Sequence, residues 1–141
     1  MRHPLHPALV HFPVACWSLA TLADFASPHW GEAAWRPAGQ LLIAGTLLAI
    51  PALLAGFYEL VRVADDSPAL HDLYWHMGAM STALLLYAIS LFARLDHSTL
   101  LAPGTGAVAC SALGFVALCI GGWLGGKLVY RHRLGGDTIR R

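Results

Sequence analysis

Eight histidines and three cysteines carry most of the chemistry available to this 141-residue chain. His3, His6 and His11 fall in the proline-punctuated opening His3-Pro4-Leu5-His6-Pro7-Ala8-Leu9-Val10-His11-Phe12-Pro13, and His71, Asp72 and His76 form a second cluster. Neutral imidazole is a ready ligand for iron, zinc or copper and handles protons near neutral pH, so imidazoles gathered at one depth would make a site. The cysteines promise less. Cys16, Cys110 and Cys119 stand alone in apolar sequence, with no C-x-x-C and no C-x-x-C-H for covalent haem, and read as packing residues. No G-x-G-x-x-G, Walker lysine or serine-nucleophile constellation supports nucleotide binding or hydrolysis.

Whether the histidines meet depends on the elements that carry them. Of the residues, 57% are hydrophobic and only 12% charged, and the mean hydropathy is +0.57. A soluble domain would carry about 25% charge. The charges cluster in short intervals separated by apolar stretches of the length a helix needs to cross a bilayer, about 20 residues. The pattern predicts an all-α polytopic membrane protein, one domain over 1–141, with spans near 9–26, 37–60, 73–93 and 101–130. The runs are too long, and do not alternate, for a β-barrel. The first span lacks a clean cleavage pattern and reads as retained. Pro13 is expected in a first helical turn, Pro28 as the close of span one, Pro51 at a mid-span break, and the glycine-rich end of span four as irregular.

Short linkers predict an antiparallel four-helix bundle, and four crossings place both ends of the chain on one side. Arg2, Arg62, Lys127, Arg131, Arg133, Arg140 and Arg141 lie on that side, against Arg36 and Arg94 on the other. The bias predicts a bacterial inner-membrane protein with cytoplasmic termini; the basic tail suits anionic headgroups better than nucleic acid. Six of the eight histidines then collect at the cytoplasmic face, leaving His29 and His97 outside.

Within that cluster His11 and His76 each stand about a turn inside a span, where an ionisable group defaults to a functional role. The leading expectation is a small b-type cytochrome with His11 and His76 as axial haem ligands and Asp72, four residues before His76, fixing its tautomer. Its role would be electron transfer, with a quinone or a redox protein as partner and a homodimer as one possible assembly. The alternative is a zinc or iron ion held by His6, His11, Glu59, His71 and His76. A third reading is a non-catalytic helper subunit whose His, Tyr and Trp residues anchor the interface. Asp24, at the outer end of span one, calls for a cationic partner, Arg36 or Arg94.

The stretch His6-Pro7-Ala8-Leu9-Val10-His11-Phe12-Pro13-Val14-Ala15, followed by Asp24, resembles the start of the bacterial integral membrane proteins grouped as the DUF2231 family. So do the Ala52 to Gly56 region, His76, Arg94 and the ending Gly121-Gly122-Trp123-Leu124-Gly125-Gly126-Lys127-Leu128-Val129-Tyr130-Arg131-His132. The resemblance implies a four-helix membrane protein and no particular reaction. The chain departs from it at Gly56-Phe57-Tyr58-Glu59, where members often have an acidic residue and then Tyr after the glycine. It departs again at Met80, where they commonly have Asn; Met80 is a weak thioether donor on the face of His76.

Overall fold

The computed structural model describes residues 5–64 and 66–132; Arg2, His3, Arg133, Arg140 and Arg141 lie outside the described residues. The charge-free intervals become four helices, α1 Leu5–Trp30, α2 Glu32–Leu60, α3 Leu70–Phe92 and α4 Thr105–His132. All four are long and apolar enough to cross a membrane. Even the 23 residues of α3 reach about 35 Å, more than a hydrocarbon core of about 30 Å. The chain is an all-α, multi-pass membrane bundle.

Several boundaries differ from expectation, and for local reasons. Helix α1 begins at Leu5 and runs through both Pro13 and Pro28, so Pro13 sits in the third turn rather than the first. Proline there removes the N–H that would have met the Leu9 carbonyl. The link to α2 is one residue, Gly31, at φ +56° with nothing near the position a Cβ would take. Glycine holds that left-handed conformation without strain, which lets two helices reverse with almost no loop. Between α3 and α4 lies a short antiparallel hairpin, β1 Leu95–Asp96 and β2 Thr99–Leu100, with His97 at φ +55° in its turn. The glycine-rich end of α4 is regular helix through His132.

The packing is inverted relative to a soluble bundle. Phe12, Leu22, Leu54, Leu85, Phe92 and Trp123 are exposed, while Ala20, Ala38, Gly45, Ala52, Ala83 and Gly121 are buried. Lipid solvates large apolar side chains as well as a protein core does, so small residues go inside, where they let backbones approach and make van der Waals contact. Helix α1 packs most closely on α2, and α3 on α4; across the two hairpins α1 meets α4 and α2 meets α3.

The two hairpins repeat one another. His6 corresponds to His76, Trp17 to Tyr87 and Asp24 to Arg94, each pair 70 residues apart, and each pair is in direct apposition. The rings of His6 and His76 lie 6.3 Å apart. Trp17 stacks on Tyr87 at 4.8 Å and 13°. Arg94 grips Asp24 through both terminal guanidinium nitrogens, at 2.7 and 2.9 Å. On the partner helices Gly45 corresponds to Gly114, Ala52 to Gly121 and Gly56 to Gly125, each 69 residues apart. Gly45 lies under Trp17 and Gly114 under Tyr87; Gly56 lies under His6 and Gly125 under His76. Both hairpins cross in the same sense, so the pseudo-twofold axis runs along the bundle and the three pairs are strung upon it. At 1.5 Å per residue the histidine pair lies about 16 Å from the aromatic pair and about 27 Å from the ion pair.

Candidate functional site

The histidine pair occupies the end of the bundle where α1 and α3 begin. His6 Nδ1 donates to the Ala52 carbonyl at 2.8 Å, and His76 Nδ1 donates to the Gly121 carbonyl at 2.8 Å. A carbonyl only accepts, so each Nδ1 carries a hydrogen, and in a neutral imidazole Nε2 is then the nitrogen with the free lone pair. This is the tautomer a metal ligand requires, set by backbone oxygens in the manner of an outer coordination shell.

The facing glycines make this arrangement possible. A Cβ on Gly56 would stand 3.1 Å from His6 Cε1, and one on Gly125 would stand 3.1 Å from His76 Cε1. Any larger residue would require the imidazole to give way by at least a few tenths of an ångström. Between the hairpins His6, His76, Met77, Met80 and Trp17, with aliphatic groups, line a narrow, partly open chamber of about 30 Å³. That is room for a water molecule or a bare ion.

Other expected site residues go elsewhere. His11 follows His6 by five residues, a rotation of about 140° on the helix, and is exposed outside the chamber. His71 is exposed, with its ring 6.3 Å from that of Trp75. Glu59 is half-buried and does not line the chamber. Asp72 does not orient His76: its carboxylate accepts from Lys127 Nζ at 2.7 Å and from His132 Nε2 at 2.8 Å, tying the start of α3 to the end of α4. Among the described residues no three His, Cys, Asp or Glu side chains are placed to share an ion. His6 is therefore the residue brought to His76. Weight on depth alone favoured His11, whereas the 70-residue recurrence of an aromatic and a charged residue with each histidine points to His6. Met77 escaped notice because a methionine in an apolar span reads as filler.

At the opposite end Asp24 takes Arg94, one of its two expected partners, and both are buried; Arg36 pairs with Glu32 on the surface.

The family model described as "Predicted membrane protein (DUF2231)" matches residues 2–138. No curated protein and no solved structure matches the chain.

Proposed function

Because the chain belongs to the DUF2231 family of predicted membrane proteins, a description that names no reaction, we propose its function from the site built among the described residues: a membrane metal centre held by His6 and His76. The observation that carries this reading is the matched pinning of the two imidazoles, Nδ1 to a backbone carbonyl on each side and rings 6.3 Å apart. A first-row metal stands about 2 Å from an imidazole nitrogen, so two Nε2 ligands of one ion bring their ring centres to about 5 Å at a tetrahedral angle and about 6 Å when the bonds are collinear. Of the three axial pairs, the histidine pair alone keeps the same residue on both sides. An ion pair needs unlike partners; a shared ion is served by like ones.

A bare ion suits the chamber better than haem. The same two nitrogens would serve a b-type haem, but the macrocycle needs the hairpins to part, since the space between them is about 30 Å³. The bias of basic residues, with Arg62, Lys127 and Arg131 at the histidine end and Arg36 and Arg94 at the other, supports a cytoplasmic-facing centre in a bacterial inner membrane.

Elemental analysis and absorption spectra of detergent-purified protein, expressed with metals and haem replete, test the proposal. The expected result is one metal ion per chain, lost in His6→Ala and in His76→Ala and kept in His11→Ala. A Soret band that vanishes with either substitution would replace the ion by haem on the same ligands. Wild-type protein free of both, or metal that survives both substitutions, would overturn the site.

A further inference from the structure

The proposed centre leaves its ion unnamed, and the donors around it narrow the choice. Resting on that reading, we infer that the ion is copper(I), bound by the His6 and His76 imidazoles with the Met77 and Met80 thioethers.

All four side chains line one chamber whose remaining wall is apolar. The sulfurs share glycine seats with the imidazoles: Met77 Sδ and His6 both pack on Gly56, at 3.7 and 3.1 Å from the position a Cβ would occupy there. Met80 Sδ packs on Gly121, whose carbonyl holds His76. As ligands, two imidazole nitrogens and two thioether sulfurs bring no charge, and among the described residues no carboxylate lines the chamber. Of the acidic groups at this end, Asp72 is held by Lys127 and His132, and Glu59 and Asp66 lie outside the chamber.

A dication placed here would keep its full double charge in an apolar wall, and an unneutralised buried charge is strongly disfavoured. A monocation carries the smaller penalty, and thioether sulfur selects soft copper(I) over zinc or divalent iron, which favour imidazole with thiolate or carboxylate.

The test titrates detergent-purified chain with copper(I) under anaerobic conditions against a chromogenic copper(I) chelator, and with zinc(II) in parallel. Met77→Leu, Met80→Leu and the double substitution conserve volume and should leave the thermal transition nearly unchanged. The expected result is one copper(I) per chain, displaced by His6→Ala, with affinity falling roughly 10–100-fold in the double methionine variant and no tight zinc site. Copper-edge X-ray absorption of the wild type supplies an independent readout, with sulfur scatterers in the first shell. Zinc or iron bound at the histidine pair, indifferent to the methionines, would overturn the copper assignment and leave the metal centre standing. An all-nitrogen copper shell would also overturn it. Absence of any stoichiometric metal would remove both.

Discussion

Asp24→Ala is expected to destabilise the bundle by about 3–5 kcal/mol, the range for breaking one side of a buried ion pair. The loss arises less from the missing attraction than from what remains. Arg94 is fully buried, and its guanidinium donates to both Asp24 oxygens, to the Ser90 carbonyl at 3.1 Å and to Ser90 Oγ at 2.8 Å. Ser90 is in turn bonded to the Ala107 carbonyl and to Ser111. Removing the carboxylate strands a permanent cation that cannot shed its proton. Arg94→Leu should cost less, because a lone aspartate can be neutralised by taking up a proton. The pseudo-twofold relation adds a sharper expectation: Asp24→Arg with Arg94→Asp should recover part of the stability lost in Asp24→Ala, since the exchange moves each charge to its equivalent position. Recovery will be partial, because Ser90 and Ser111 correspond to Ala20 and Leu42 on the other side. Reversible unfolding in mixed micelles measures all three. A loss below about 1 kcal/mol for Asp24→Ala would mean that water reaches the pair and screens it.

The four spans were legible because lipid imposes a coarse rule. Every backbone group must be satisfied inside the segment, so a charge-free run of sufficient length is a helix whatever its details. Boundaries were less legible. Pro13 and Pro28 suggested helix ends, yet both lie inside α1, where packing against neighbouring helices outweighs the local preference for a break. Side-chain direction was the weakest point. His11 and His6 differ by five residues, which changes depth by about 7.5 Å and direction by about 140°, and only direction decides which imidazole joins His76. Asp72 failed as an orienter for a related reason: sharing a face with His76 did not prevent Lys127 and His132 from claiming its carboxylate.

The hidden repeat explains both the success and the failure. Of the positions paired on α1 and α3, His6 and His76 retain identity, whereas Trp17 faces Tyr87 and Asp24 faces Arg94. Residue by residue there is little to align, yet the roles align well: a polar donor, a flat ring, a charge. Two identical hairpins related by a true axis would set Asp against Asp, or Arg against Arg, in a buried place where like charges repel. One continuous chain allows the halves to diverge, and divergence is what permits a neutralised pair at the end opposite the histidines. The same freedom was not used at the histidines.

Trp17→Ala is the second substitution of large expected effect, at about 3–5 kcal/mol, the usual cost of truncating a buried aromatic. Trp17 is 1% exposed, stacks on Tyr87 across the axis and rests on Gly45, where a Cβ would stand 2.7 Å from Cδ1. Its indole Nε1 has no hydrogen-bond partner among the described residues, so Trp17→Phe, which keeps a ring and deletes an unsatisfied donor, should cost far less than Trp17→Ala. Gly45→Ala alone should destabilise by about 1–3 kcal/mol through overpacking, despite the helix-propensity gain of about 1 kcal/mol. Made in the Trp17→Ala background, Gly45→Ala should lose most of that cost, because its main obstacle has gone; a double-mutant cycle in mixed micelles measures the coupling. Additive losses would mean that Gly45 matters to Cys16, at 3.0 Å, more than to the ring. The consequence reaches the proposed centre. Trp17 also walls the histidine chamber, so its removal joins that chamber to a larger void, frees Met80 and His76 to move, and should weaken metal binding while Trp17→Phe preserves it.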